Sequence, residues 1–411
     1  MTIAARYAFR SLFRHRRRSL LSIAGTGIGC GVCLLLISFV KGEGEMMMRA
    51  AAESGAGHLQ IVPGQWVKTR DMNLRLERWQ TALHKTHNMD NVQAAAPYAR
   101  AEALLAMGTR TAGVTVTGVA PEAEQKLNRL VRKVLHGSYL ETGDREETVI
   151  GKVVADRLDV GIGDDLVVTA SGIDGDMRSA MLNVKGIIST GSRRLDSSFC
   201  HVALADMENI TGNAGAGGIA LLLENPELMK HTQDRVSTGL PPGAEVITWK
   251  EIIPELASGV EIDETFTDIM VAVVIAVVFL GIASAQLAAA LERRKEFAVI
   301  SALGMQDSRL ASVMILEGLI LGVLGSVTAV VLGTPAVYFI SVHGVDFTGM
   351  YGEGDLGISS VLIDPIIYGS FDWWILPTAF VLGLTATTLS SLYPALYARR
   401  TDPAEALRAD N

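Results

Sequence analysis

The sequence predicts an α-helical membrane protein with four transmembrane helices plus a large α+β domain inserted between helices 1 and 2, outside the membrane face that carries both termini. Three observations predict it. Four apolar runs, at 19–40, 269–291, 313–342 and 373–396, are each long enough to cross hydrocarbon, which takes about 20 helical residues. Between the first two lies a stretch, 42–267, that mixes strand-like and helix-like periods. Lys and Arg crowd three of the short flanking segments and are missing from a fourth.

Those flanks set the sidedness, because short cytoplasmic segments carry an excess of Lys and Arg. Arg6, Arg10, Arg14, Arg16, Arg17 and Arg18 precede the first run with no acidic residue among them. Arg293, Arg294, Lys295 and Arg309 follow the second run, and Arg399, Arg400 and Arg408 follow the fourth. The connection 341–372 instead holds Asp346, Glu353, Asp355, Asp364 and Asp372 and no basic residue. Both termini and the connection after the second run are therefore cytoplasmic. The expected division is an amphipathic helix at 1–18, spans at 19–41, 268–291, 313–340 and 373–396, the exterior domain at 42–267, a cytoplasmic segment at 292–312, an exterior loop at 341–372 and a cytoplasmic tail at 397–411. The formal charge of −8 falls mostly outside, which argues against nucleic acid as a partner. The basic N-terminal arm suits anionic membrane lipid at the inner face.

Taken in order, residues 2–18 alternate Ile3, Tyr7, Phe9, Leu12 and Phe13 with basic residues, the pattern of a helix lying along a membrane. The run that follows exceeds the roughly 7–15 apolar residues of a secretory signal, so it reads as an uncleaved anchor. Cys30 and Cys33 lie inside it and Cys200 stands alone, which leaves no disulfide framework and makes the first two small packing residues. Residues 42–54 extend the first helix as a stalk. The exterior domain shows β-like runs at 58–62, 113–119, 166–170, 181–188, 218–223 and 244–248, and helical patterns at 74–84, 122–135, 153–158, 204–210 and 227–237. Asp174 and Gly175 form a hairpin turn, and the break at 137–144 divides the domain into two lobes. From Trp249 onward a second stalk leads into the second span.

Gly25, Gly27, Gly29 and Gly31 give two interleaved G-x-x-x-G pairs in the first span, and Gly318, Gly322 and Gly325 line the third. Small residues at such spacing let helix backbones approach closely in lipid. Glu317 is the one ionisable group deep in an apolar run. No partner for a proton relay lies at similar depth, so it reads as a boundary group that pairs with Arg293, Arg294 or Arg309. The sequence contains no G-x-x-x-x-G-K-[ST] phosphate loop, no H-E-x-x-H and no Cys/His cluster at zinc spacing. No catalytic, cofactor-binding or metal site is expected in the chain.

Three segments carry a family resemblance: Leu291-Glu-Arg-Arg-Lys-Glu-Phe297 with Ala302-Leu-Gly304 and Leu316-Glu-Gly318; the C-terminal Tyr393-Pro-Ala-Leu-Tyr-Ala-Arg-Arg-Thr-Asp-Pro-Ala-Glu-Ala-Leu-Arg408; and the N-terminal Ala8-Phe-Arg-Ser-Leu-Phe-Arg-His-Arg-Arg-Arg-Ser-Leu-Leu21. Together they resemble FtsX-like, MacB-like ABC transporter permeases. Segments 149–164 and 184–196, with Gly57-His-Leu-Gln-Ile61, are most similar to lipoprotein-releasing, Lol-type members. The resemblance implies a non-catalytic permease of the bacterial inner membrane, its large domain in the periplasm, working with two copies of a separate ABC ATPase subunit that holds the ATP and Mg²⁺. It further implies a second permease subunit, lipoprotein cargo and a periplasmic carrier, with motion passed outward by mechanotransmission. Ala302, Leu303, Gly304, Met305, Gln306 and Arg309 would make the coupling contact with the ATPase. The alternatives are efflux of a peptide, toxin or antibiotic from the periplasm, and regulation of a cell-wall hydrolase.

Overall fold

The computed structural model describes residue 14 and residues 16–87, 89–293, 296, 299, 306–351, 357–358 and 361–399. Most of the helix expected at 1–18, the tail beyond 399, Arg294, and Ala302, Leu303, Gly304 and Met305 lie outside the described residues. The chain forms two compact units: Met1–Glu43 with Glu261–Val345 and Ile367–Asn411, and Gly44–Val260 with Asp346–Ile366. In chain order the main elements are α1 (Arg16–Glu53), β1 (Leu59–Pro63), α2 (Trp79–His87), β2 (Val92–Met107), β3 (Arg110–Val119), α3 (Pro121–Leu127), β4 (Val134–Gly137) and β5 (Glu147–Gly151). They continue as α4 (Lys152–Leu158), β6 (Asp165–Ser171), β7 (Met177–Ile188), β8 (Phe199–Ala203), α5 (Met207–Thr211), β9 (Gly218–Leu223), α6 (Met229–Thr238) and β10 (Ala244–Thr248). Four long or paired helices close the list: α7 (Pro254–Glu292), α8 (Asp307–His343), α9 (Ile375–Ser390) and α10 (Leu392–Arg399).

The unit Gly44–Val260 is organised by β2, the longest strand. Its first half pairs antiparallel with β9, and β1 and β10 extend that side. Its second half pairs with β3 on one edge and β6 on the other. From β3 the path runs through β8, β5 and β7, and β7 returns to β6, so six strands close into a ring. Alternate residues of these strands, among them Leu105, Val114, Leu166, Val168, Leu182 and Val202, share one buried cluster with Leu158 of α4 and Met207 of α5. β9 is buried along its whole length because both its faces are covered. Leu221 and Leu223 pack toward Ala82 of α2 and Val236 of α6, while Ala220 and Leu222 pack toward Leu127 of α3 and Ala52 of α1. Gly57 makes this possible at the entry to β1. Its φ of +71° favours glycine, and a side chain there would press to 2.7 Å on the Leu221 carbonyl oxygen.

Three local expectations need correction. The helix expected at 74–84 starts only at Trp79, because Leu76 N–H donates to Ala216 O at 2.8 Å and Arg78 takes a φ of 52°. The helix expected at 122–135 ends at Leu127. Asn128 turns extended, its side chain accepts from Leu130 N–H at 2.9 Å, and the chain passes through a 3₁₀ turn into β4. The break at 137–144 does not separate two lobes, since β4 before it and β5 after it both pair with β7. Residues 346–366, read as a loop between spans, group with this unit. Asp364 lies 2.7 Å from Arg129 Nη1, the Leu362 carbonyl accepts from Arg129 Nη2, and Val361 is buried with Ala50 and Trp249.

The other unit is helical. Four helical stretches are long and apolar enough to cross a membrane: Ser19–Glu53, Pro254–Glu292, Ala311–His343 and Ile375–Leu396. The last is not continuous, because α9 stops at Ser390 and α10 begins at Leu392. Pro394 explains the break, since it has no N–H to give to Ser390 O and its ring would crowd that carbonyl.

Two buried histidines couple the β-rich unit to acid. Leu223 N–H donates to His58 Nδ1 at 3.1 Å, and Tyr139 Oη lies 2.8 Å from His201 Nδ1. Burial lowers His58 from 6.5 to about 4 and His201 from 6.5 to about 3. Both are therefore neutral when folded. Their contribution is complete above pH 6.5 and is lost as pH falls toward those lower values, at up to about 1.4 kcal/mol per pH unit for each. Glu124, raised by burial, works in the opposite sense over its own range. The unfolding midpoint measured between neutral pH and pH about 4.5 is expected to fall less steeply in His201→Gln than in the parent chain.

Candidate functional site

The features singled out in the sequence converge in the helical unit. Arg293 follows the last residue of α7, and Glu317 lies on α8. Their side chains are only 6% and 7% exposed, and Arg293 Nη1 donates to Glu317 Oε1 at 3.0 Å. Arg293 Nε lies 3.5 Å from Glu296 Oε2, and Arg14 Nη2 donates to Glu296 Oε1 at 2.9 Å. Charges thus alternate from Arg14 at the surface through Glu296 and Arg293 to Glu317 in the interior. A carboxylate in hydrocarbon is costly unless paired, and this chain of contacts supplies the pairing. Ala290, Met314 and Ala395 pack together as an apolar cluster of the same unit. Arg309, the other described basic residue considered for Glu317, is exposed on the first turn of α8. Its N–H donates to the carbonyl of Gln306, the residue that caps that helix.

The glycines form two seams. A methyl group added at Gly318 would strike Ser391 Oγ, and one at Gly322 would strike Thr387 Oγ1, so α8 runs against α9 with no space between them. A methyl at Gly325 would sit 2.7 Å from Thr26 Cβ of α1, and one at Gly27 would sit 2.7 Å from Thr328 Cγ2 of α8. Gly29 faces Val278 of α7, and Gly31 is in ordinary contact, 4.0 Å from Ala329 O. Gly25 is the exception: among the described residues a methyl there meets nothing within 4 Å, so it takes no part in either seam. The hydroxyls opposite these glycines bond to their own helix. Thr387 Oγ1 donates to Gly383 O and Ser391 Oγ to Thr387 O, both at 2.8 Å. Ser390 Oγ also lies 3.1 Å from Phe279 O of α7. Sequence reasoning missed these partners, although Thr387, Ser390 and Ser391 fall at i, i+3 and i+4 on one helical face.

At the other end of the unit, Ser370 N–H donates to Ser38 O at 2.9 Å, Ser38 Oγ donates to Ser370 O at 2.8 Å, and Lys41 pairs with Asp372. Trp373 and Trp374 stack there with ring centroids 4.2 Å apart, and Tyr338 meets Phe371 edge-on at 6.0 Å. Exposed aromatic rings beside an ion pair are the usual furniture of a membrane–water boundary. Among the described residues no group of three or more His, Cys, Asp or Glu side chains could hold a metal ion.

Four helices long and apolar enough to cross a membrane, closely packed at glycines and carried in one chain with a mixed-sheet domain, fit a multi-span membrane protein with a large domain outside the bilayer. Residues 269–403 match the FtsX-like permease C-terminal domain, and residues 19–238 match the MacB-like periplasmic core domain. The chain belongs to the FtsX-like, MacB-like ABC transporter permease family. It is similar to the lipoprotein-releasing system transmembrane protein LolC of Xylella fastidiosa, with 26% identity over 95% of this chain and 93% of that protein. It is 22% identical to LolE of Haemophilus influenzae over 94% of this chain and 93% of LolE. The macrolide export ATP-binding/permease protein MacB of Hyphomonas neptunium is 24% identical over 99% of this chain and 61% of MacB.

Removing Arg293 takes the paired cation from the buried Glu317, and removing Glu317 breaks the same buried pair, at a cost of about 3–5 kcal/mol in comparable sites. Glu317→Ala and Arg293→Ala are therefore expected to lower the unfolding midpoint of the detergent-solubilised protein sharply, while the double change Arg293→Met with Glu317→Met recovers much of the loss. Equal midpoints for all three variants would refute the pairing. Gly322→Leu is expected to abolish recovery of folded protein, and Gly25→Leu to leave it unchanged, as read by size-exclusion chromatography.

Proposed function

We propose that the chain is the membrane subunit of a type VII ABC complex that extracts lipoproteins from the bacterial inner membrane and hands them to a periplasmic carrier. One observation carries this reading. The similarity to lipoprotein-releasing LolC runs nearly end to end in both proteins, over 95% of one and 93% of the other, whereas MacB is covered over only 61% of its length. In this reading the β-rich unit is the periplasmic domain inserted between spans one and two, and the termini lie in the cytoplasm. The chain is non-catalytic. ATP and Mg²⁺ belong to two copies of a separate ATPase subunit, whose closure pushes on 292–312 through Ala302, Leu303, Gly304, Met305, Gln306 and Arg309. A second permease subunit completes the membrane part.

The charge pattern supports the sidedness. Arg14, Arg16, Arg17 and Arg293 sit at the helix ends that would face the cytoplasm, and the Lys41–Asp372 pair with its aromatic neighbours sits at the opposite ends. A second reading, efflux of a peptide, toxin or antibiotic, draws on the 24% identity to MacB across 99% of this chain.

Reconstituted with its ATPase in membranes loaded with an acylated protein, the complex is expected to release that protein to a soluble carrier when ATP is added. Release of none under conditions of active ATP hydrolysis would remove the lipoprotein reading and favour efflux. Gly304→Pro and Met305→Asp are each expected to abolish co-purification of the ATPase while the chain still inserts in the membrane. Normal complex formation by both variants would refute the coupling assignment.

A further inference from the structure

A cavity of about 210 Å³ in the β-rich unit is lined by Arg100 of β2, Glu124 of α3, and Leu130, Leu195, Phe199 and His201. A second, of about 460 Å³, shares Met72, Tyr98 and Arg100 as lining. The charged groups here are built in rather than scattered. Glu124 is only 5% exposed, and its Oε1 accepts from Asn128 Nδ2 at 2.8 Å, while Asn128 Oδ1 accepts from Leu130 N–H at 2.9 Å. The Arg100 guanidinium lies 4.7 Å from the centre of the Tyr98 ring, whose hydroxyl donates to Gln60 Oε1 at 2.7 Å. Each charge has a neutral hydrogen-bond or ring partner; Arg100 acts on Glu124 through space, and among the described residues no ion pair joins the two.

Opposite charges that face one cavity without meeting leave room for a molecule that carries both signs. A buried carboxylate asks for a cationic donor, and a guanidinium accepts a carboxylate in a forked geometry. Leu130, Leu195 and Phe199 add an apolar wall beside them. We infer that this cavity binds a small zwitterion, an α-amino acid or a short peptide, with its ammonium on Glu124 and its carboxylate on Arg100. The neutral imidazole of His201 brings no competing charge. The inference goes beyond the cargo reading and stands whichever cargo the complex moves.

The test uses the full chain in lipid nanodiscs, titrated with L-leucine and with Leu-Leu, and in parallel with N-acetyl-leucinamide, which keeps the side chain and loses both charges. A saturable rise in unfolding midpoint with at least one zwitterion, and none with the neutral derivative, is expected. Glu124→Gln keeps the size of the side chain and Arg100→Gln keeps a polar one; each is expected to weaken binding at least about tenfold while leaving the ligand-free midpoint close to that of the parent. Should Glu124→Gln fail to fold, Arg100→Gln, at a half-buried position, carries the test alone. A cavity holding water only, with no response to either zwitterion, overturns the proposal. So does equal binding of the neutral derivative, or unchanged affinity in the variants that fold.

Discussion

Hydrocarbon offers no water to a charge or a hydroxyl, and the helical unit is arranged around that constraint. Glu317 is neutralised by Arg293, which is in turn flanked by Glu296. Thr387, Ser390 and Ser391 return their protons to carbonyls one turn back on the same helix. Thr387 and Ser391 face Gly322 and Gly318, where α8 and α9 approach closely. Apolar side chains are as comfortable in lipid as against one another, so close backbone approach supplies what burial supplies in water. Larger residues at those glycines would separate the helices and open the polar groups to lipid.

The β-rich unit obeys the opposite solvent. Its strands bury apolar faces from water, and the closure of β2, β3, β8, β5, β7 and β6 into a ring removes most of the exposed edges that an open sheet would present. β9 can be apolar throughout because α2 and α6 cover one face while α1 and α3 cover the other.

The spans and Glu317 were legible because long apolar runs and an isolated charge are strong signals. The partner of Glu317 came from a short set of nearby basic residues, and among the described ones it is Arg293 that meets it. The ring was not legible. β2 hid behind alanines and Pro97, residues that favour neither strands nor periodic patterns. Closure itself depends on β6, the hairpin partner of β7, also meeting β2, a long-range pairing that no local pattern encodes. Among the glycines, spacing alone grouped Gly25 with Gly27, Gly29 and Gly31. Adjacent positions on a helix point in different directions, and only the neighbours decide which of them is crowded.

One contact bears on how a load would travel through the β-rich unit. The upper turns of α1 and the start of α7 are not two separate rods there: Ala50 and Ala51 are packed in one cluster with Trp249, Ile253, Leu256, Ala257 and Val260. Two rods clamped side by side cannot slide or twist independently, so a displacement fed into either arrives as a single shared stroke. Directly beyond them β1 and β10 pair antiparallel, so both helices run into one strand pair.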